Sequence, residues 1–113
     1  MSTTQAYAIA YLRDVDFGPE IIEYLERIDD TLAPYEGRFI VHGGTLTAAE
    51  GTWDGDLVII EFPSARAARD WYESPGYQAI LPLRTEHSSS IACIVEGTKP
   101  GHVAKDKLAA LLA

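Results

Sequence analysis

One segment in the middle of the chain restricts the fold more than any other. Residues 56–62 read Asp-Leu-Val-Ile-Ile-Glu-Phe, an apolar run rich in β-branched residues that predicts a β-strand. Leu57 and Ile59 lie on one side of this strand, and Val58 and Ile60 lie on the other. A sheet with one face in water alternates apolar and polar residues along each strand. The sequence therefore predicts a sheet that is covered on both faces.

Three further strands and two helical regions surround this segment. Strands are predicted over 6–13, 38–42, 56–62 and 91–95. Helices are predicted from residue 19 to an end before Pro34 or near Gly37, and over 65–73, the latter continued over about 76–86. The apolar stripe predicted for the first helix consists of Ile21, Ile22, Leu25, Ile28 and Leu32. The order β-α-β-β-α-β is the split unit of an α+β, ferredoxin-like fold.

Two helices cover only one face of a four-stranded sheet, so the opposite apolar face needs a partner. A second copy of the chain is the simplest one, and two such sheets packed face to face form a dimeric α/β barrel with two-fold symmetry. The length of 113 residues fits one domain, which we place over residues 1–97.

Residues 98–113 are predicted to form a separate C-terminal tail. Ala104, Leu108, Leu111 and Leu112 recur at helical spacing, which indicates a short amphipathic helix of about three turns. The tail carries three lysines and one aspartate, which give it a formal charge of +2. Because the net charge of the whole chain is −8, the other residues together carry −10. We expect this helix to dock on the dimer, with the partner chain favoured over its own. A frayed, exposed end is the alternative.

Composition excludes several classes of function. An acidic chain with 9 Lys and Arg against 17 Asp and Glu is a poor ligand for nucleic acid or an anionic membrane. The single cysteine, Cys93, excludes an internal disulfide and a cysteine-built zinc site, and its apolar strand predicts a buried, inert thiol. No metal, flavin, nicotinamide or phosphate motif is visible, so no cofactor is expected. The lack of a signal peptide or an apolar run of spanning length predicts a cytoplasmic location.

Several segments resemble the family of domain-of-unknown-function 1330 (DUF1330) proteins. They are residues 38–44, 56–64, 95–97 and above all the Tyr-x-Ser-Pro-x-Tyr-Gln element over 72–78. The resemblance covers roughly residues 6–97 and implies the dimeric α/β-barrel superfamily, which includes cofactor-free antibiotic-biosynthesis monooxygenases and muconolactone-isomerase-like enzymes. It implies a fold rather than a reaction. His42 stands where the family often has Arg, Gly76 where it often has Glu, and the tail exceeds the usual family end.

Three residues are the candidate catalytic groups. His42 ends the second strand on the predicted face of Arg38 and Ile40, next to two glycines that leave space around it, and its imidazole could transfer a proton near pH 7. Tyr72 lies next to the break in the second helical region, and Arg84 lies at the end of the helical piece that follows it. Aromatic walls and a guanidinium there suit a planar anionic or enolic ligand. A structural role remains the alternative for each of the three.

Five more residues are candidate substrate-binding groups: Arg38, Trp53, Glu61, Trp71 and Tyr77. Glu61 is either an ion-pair partner of Arg84 or Arg38 or a base or substrate anchor. Trp71 and Tyr77 are either core residues or cavity walls, and Trp53 is either a dimer contact or a lid.

These residues support three hypotheses. The first is a cofactor-independent enzyme for a small aromatic or polyketide-like molecule, performing isomerisation, cyclisation or oxygenation in a cleft between sheet and helices. The others are a small-molecule-binding or accessory barrel without turnover and a structural assembly module.

Overall fold

The computed structural model describes residues 4–113 and has the predicted element order. Its elements are β1 (Ala6–Arg13), α1 (Pro19–Leu32), a 3₁₀ helix (Ala33–Tyr35), β2 (Arg38–Val41), β3 (Asp56–Phe62), α2 (Ala65–Glu73), α3 (Pro75–Thr85), β4 (Ser89–Glu96) and α4 (Asp106–Leu112). The four strands form one antiparallel sheet in the order β2-β3-β1-β4. The α+β, ferredoxin-like fold is thus confirmed.

Short polar and proline signals set the helix boundaries. Pro19 occupies the first turn of α1, where its missing N–H costs nothing. The Ser64 hydroxyl caps α2 by accepting from the backbone N–H of Ala67 at 3.1 Å. Ser74 ends α2 and caps α3, because its backbone N–H donates to Trp71 while its hydroxyl accepts from the N–H of Tyr77. The break between the two helices is therefore built by one residue.

Four predicted elements have different bounds in the structure, among them β4, which ends at Glu96 rather than at residue 95. β2 ends one residue earlier than predicted, at Val41, and α3 spans Pro75–Thr85 rather than 76–86. β4 begins at Ser89, because Ser89 and Ser90 continue the pairing with β1. The tail helix α4 has seven residues rather than about three turns.

The helices cover one face of the sheet and form the core with it. On α1 the buried side chains are Ile21, Tyr24, Ile28 and Leu32. The predicted stripe was wrong for Ile22, which is exposed, and it omitted the buried Tyr24. Leu25 is 42% exposed because it borders the open space between α1 and the sheet rather than the packed core. Phe62 of β3 and Ile80 of α3 complete the centre of this core.

The opposite face of the sheet is apolar and uncovered in the single chain. Ile91 and Val95 of β4 are exposed, Ile91 to 74%. Cys93 lies between them and is also exposed, so the expectation of a buried thiol was wrong for the single chain. The reason is geometric: Cys93 pairs with Ile9 of β1 on the face that has no helices. No helix in residues 4–113 has the length and apolar character needed to cross a bilayer.

Candidate functional site

A cavity of about 430 Å³ lies between the sheet and the helices. It exists because small residues occupy the helix-facing side of adjacent strands: Ala8 and Ala10 of β1, with Ala92 paired beside Ala10 on β4. α1 forms the opposite wall with Tyr24 and Ile28. The volume falls in the range typical of small-molecule sites.

The polar groups that line this cavity are basic or phenolic, and none within residues 4–113 is a carboxylate. Two arginines, one histidine and three tyrosines are among its lining residues: His42, Arg69, Arg84, Tyr24, Tyr72 and Tyr77. No Asp or Glu lines it among the described residues, although the chain has 17 acidic against 9 basic residues. The cavity is therefore an electropositive, largely apolar space inside an acidic protein.

Arg84 is the most constrained of these groups. It is only 6% exposed, and its Nη1 donates to the Ser90 hydroxyl at 2.6 Å. Within residues 4–113 no carboxylate lies within ion-pair distance of it. Burial acts to lower the pKa of the guanidinium, but the oxygens of Tyr77 and Tyr24 outweigh this effect and raise it. Arg84 is thus a buried cation without a counter-ion, which favours an anion in the cavity.

Tyr24 and Tyr77 form a buried pair beside Arg84. Their hydroxyl oxygens are 2.6 Å apart, and their rings meet edge to face. Burial, reinforced by Tyr77, raises the pKa of the Tyr24 phenol, while Arg84 opposes the shift. Tyr24 was not among the candidate residues predicted from the sequence. Its signal is the spacing of three residues after Ile21 and four before Ile28, which places it on the buried face of α1.

Aromatic rings from α2 and α3 form a continuous wall of the cavity. Trp71 packs against Tyr77 with ring centroids 4.1 Å apart, and Tyr72 lies 5.5 Å from Tyr77. The indole Nε1 of Trp71 donates to the Thr31 hydroxyl at 3.0 Å, which fixes the ring. Trp71 and Tyr77 are therefore both core residues and cavity walls, whereas the half-buried Tyr72 has no hydrogen-bond partner for its hydroxyl among the described residues.

His42 reaches the cavity through an irregularity of β2. Phe39 pairs with Ile60 but Val41 pairs with Ile59, so a bulge shifts the register by one residue. The His42 ring consequently stacks on Phe39 at 4.4 Å on the helix side of the sheet. The predicted placement of His42 on the face of Arg38 was wrong, because the strand was read without the bulge. The exposed imidazole lies at the rim of the cavity.

Three predicted ligand contacts lie away from the cavity. Arg38 donates through Nε and Nη2 to Glu61 Oε1 at 2.8 and 2.6 Å, which is one of the two ion pairs considered for Glu61. Trp53 packs edge to face on Tyr11 and donates through Nε1 to the carbonyl of Glu50. The structure therefore brings together His42, Tyr72, Arg84, Trp71 and Tyr77 and leaves Arg38, Glu61 and Trp53 outside.

The other histidines take part in local contacts. His87 Nδ1 lies 3.0 Å from the carbonyl of Leu83, and its Nε2 lies 3.7 Å from Glu20. His102 lies in the tail, where its Nδ1 is 3.6 Å from Asp106. Over residues 4–113 no three His, Cys, Asp or Glu side chains converge on a point that could hold a metal ion.

Comparison with known proteins agrees with this fold. The family model for a domain of unknown function, DUF1330, matches residues 5–98. The chain belongs to the DUF1330 family. No curated protein matches this DUF1330 chain.

Solved structures share its fold at low sequence identity. A protein of unknown function from Rhodopseudomonas palustris is 19% identical, with a TM-score of 0.64 over 86% of this chain and 85% of that one. SnoaB, a cofactor-independent oxygenase from Streptomyces nogalater, is 17% identical, with a TM-score of 0.59 over 89% and 100%. A dimeric ferredoxin-like protein of unknown function from Thermobifida fusca is 17% identical, with a TM-score of 0.57 over 84% and 92%.

Proposed function

We propose that this DUF1330 protein is a cofactor-independent enzyme that acts on a small, planar, anionic or enolisable molecule in the cavity between sheet and helices. The observation that carries the proposal is Arg84, a buried cation without a carboxylate partner that lines an aromatic cavity. A buried guanidinium without a counter-ion is costly to the free protein. A ligand with a carboxylate or enolate oxygen removes this cost, since it accepts charge-assisted hydrogen bonds from the guanidinium.

Aromatic packing contributes to binding. Tyr72 is half-buried and offers ring surface to a flat ligand, the nearly buried Trp71 and Tyr77 hold the wall in place, and the three alanines on the sheet leave room for the ligand. Such contacts are stabilised by apolar burial and by ring packing of about 0.5–1.5 kcal/mol per aromatic pair.

Proton transfer is the chemistry that these groups support. In this scheme His42 takes a proton from the carbon next to a carbonyl, and the electron pair of that C–H bond moves to the carbonyl oxygen. Arg84 stabilises the resulting enolate, as an oxyanion site does. Returning the proton from His42 to a different atom of the enolate completes an isomerisation, with no net oxidation.

The similarity in fold to SnoaB supports cofactor-free catalysis on this architecture. Oxygenation of the same enolate by dioxygen, with the electrons supplied by the substrate, is the variant of the scheme that this neighbour suggests.

Ligand charge is tested with two dyes of the same ring system. We expect 8-anilino-1-naphthalenesulfonate to bind more tightly than neutral N-phenyl-1-naphthylamine, and Arg84→Gln to remove this preference. A charged hydrogen bond of about 1.5–3 kcal/mol corresponds to a loss of at least tenfold in affinity for the anionic dye. Arg66→Gln is the matched control, because Arg66 lies on the outer side of α2 and pairs with Asp70. Equal affinities of the two dyes for the native protein would contradict the proposed ligand class.

Catalysis is tested with phenylpyruvate, an aromatic carboxylate with an enolisable carbonyl. The protein should accelerate its keto–enol conversion, followed by the ultraviolet absorbance of the enol, and His42→Ala should abolish the acceleration without abolishing binding. His102→Ala, in the tail, is the control. Tight binding with no acceleration by the native protein, here and with other enolisable aromatic acids, would favour the non-catalytic binding barrel instead.

We further propose a homodimer through the uncovered face of the sheet. The apolar residues on that face are Ile9, Leu57, Ile59, Ile91, Cys93 and Val95, and a contiguous apolar surface of this kind marks an interface. The dimeric ferredoxin-like neighbour supports this arrangement. Light scattering should give twice the chain mass of 12.4 kDa, and Ile91→Asp should give monomers. A native protein that remains monomeric at micromolar concentration would rule the dimer out.

A further inference from the structure

The C-terminal tail, residues 98–113, begins where the DUF1330 match ends, and all of its residues are exposed. Every residue of α4 is exposed, including Leu108, Leu111 and Leu112, the last to 82%. The hydrogen bonds around the start of the helix stay within the tail, for example from the N–H of Val103 to Asp106. A helix of seven residues is marginal in water unless its apolar side is buried.

The tail also projects from the domain. The radius of gyration is 16.0 Å, whereas a compact chain of this length has about 13 Å, and the longest dimension is 50 Å. The tail does not bury its apolar residues on the α1 helix of its own chain, because these residues remain exposed. This geometry favours a second copy of the chain as the molecule on which the tail docks.

Charge separates the tail from the rest of the chain. All three lysines of the protein, Lys99, Lys105 and Lys107, lie in the tail, and the remaining residues carry a formal charge of −10. Lys105 and Lys107 flank the stripe of Leu108, Leu111 and Leu112. The tail is therefore a basic, leucine-bearing helix that needs an acidic surface with exposed apolar side chains.

One flank of α1, formed by Ile22, Leu25, Glu26 and Asp29, has both properties. Ile22 and Leu25 are exposed to 43% and 42%, and Glu26 and Asp29 follow them at the spacing that keeps all four on one helix face. Glu23 already pairs with Arg27, whereas Glu26 and Asp29 make no ion pair within the described part of the chain. Two carboxylates beside two exposed apolar residues complement the charges and leucines of the tail.

The reach of the tail permits this contact across the dimer. Residues 98–105 contain turns closed by hydrogen bonds from His102 to Lys99 and from Asp106 to Val103, and they would span up to about 26 Å if these turns opened. Sheets that pack face to face lie about 10 Å apart, and a helix layer lies about the same distance beyond. The chain is therefore long enough to pass from the end of β4 to the helix layer of a second copy.

We propose that α4 of one protomer docks in a second copy on the flank of α1 formed by Ile22, Leu25, Glu26 and Asp29. Leu108, Leu111 and Leu112 pack on its apolar residues, and Lys105 or Lys107 pairs with its carboxylates. This proposal rests on the face-to-face dimer proposed above. Because Leu25 also lines the cavity, a helix docked there closes part of its rim. The second copy then contributes to the site.

Carbodiimide cross-linking tests the proposal directly, because every lysine lies in the tail. Light and ¹⁵N-labelled chains are unfolded, mixed in equal amounts and refolded, then cross-linked and digested. Docking across the dimer should give links from Lys105 or Lys107 to Glu26 or Asp29, with heavy–light links as frequent as the light–light and heavy–heavy links together. Links confined to chains of one label, or absent from α1, would overturn the proposal.

Two variants of the full chain complete the test. Leu111→Asp should reduce the yield of these links at least fivefold, whereas Ala110→Asp places the same charge on the opposite side of α4 and should leave the yield within twofold. Equal effects of the two variants would count against a leucine-mediated contact. Light scattering separates the two proposals: a monomer refutes both, and a dimer with links only inside one chain refutes docking of the tail alone.

Discussion

Two alanines on one strand provide the sharpest test of the cavity. Ala6 and Ala10 of β1 both face the helices, but Ala6 is fully buried in packed surroundings, whereas Ala10 lines the cavity. Replacing each of them by leucine adds the same three carbon atoms. The change in strand propensity is similar at both positions, so the difference between the two variants isolates the space around each residue.

The magnitude follows from burial and packing. At position 10 the three carbons enter an apolar space of about 430 Å³, and a gain of about 0.8 kcal/mol per carbon gives about 2.4 kcal/mol. Loss of rotamer freedom of about 0.5–1 kcal/mol leaves a net stabilisation of about 1.5 kcal/mol for Ala10→Leu. At position 6 there is no space, so overpacking should destabilise Ala6→Leu by about 1–3 kcal/mol.

Urea unfolding followed by circular dichroism measures both free energies. The midpoint of Ala10→Leu should rise and that of Ala6→Leu should fall, and Ala10→Leu should also bind the anionic dye more weakly because the new side chain occupies its place. A decrease of similar size in both variants would show that the cavity is filled in solution. The reasoning about the site would then be wrong as well.

Three further outcomes are expected. Because burial raises the pKa of Tyr24, its phenol contributes stability that is fully present below pH 10, the ordinary pKa of a phenol, and is lost as the pH rises above that value. The urea midpoint should therefore decline less steeply between pH 9 and 11 in Tyr24→Phe than in the native protein. An unchanged slope would argue against a buried phenol. Cys93 should react with a disulfide reagent faster on dilution into the monomer range, and a rate independent of protein concentration would contradict its burial in the dimer. In the monomeric variant Ile91→Asp, Glu61→Gln should cost no more than about 1 kcal/mol, because its partner Arg38 is largely exposed in the single chain, and a loss above 2 kcal/mol in urea unfolding would refute that assessment.

Patterns of period two and proline or serine boundaries were enough to predict most of the fold. The bounds of β1, β3 and α2 agree with the sequence-based ones because Asp56 to Phe62 and Ala65 to Glu73 each end at an unambiguous turn signal. The family resemblance over 72–78 was confirmed by the DUF1330 match. Local signals of this kind act within a few residues, so they can be read without knowledge of the partner elements.

The site could be predicted only in part, because its geometry depends on long-range packing. His42 was chosen for its chemistry but placed on the wrong face, since a bulge between Phe39 and Val41 has no clear signature in the residues themselves. Tyr24 was not predicted, because an apolar stripe that includes Leu25 has an equally regular helical spacing. Only the hydrogen bond between Tyr24 and Tyr77 shows that Tyr24 belongs to the buried face. Rotation of a helix by one residue is settled by its neighbours and not by its own sequence.

The alternation of β1 links the two proposed properties of the protein. Ala8 and Ala10 are small and open the cavity on the helix side, while Ile9 and Tyr11, which alternate with them, contribute apolar surface to the uncovered face. Because neighbouring residues of a strand point to opposite faces, substitutions at 8 or 10 should change ligand binding without changing the dimer. Substitutions at Tyr11, which is absent from the lining of the cavity, should do the reverse. A variant such as Ala10→Leu that altered both would show that the cavity and the dimer face communicate through the sheet, which a rigid strand does not allow.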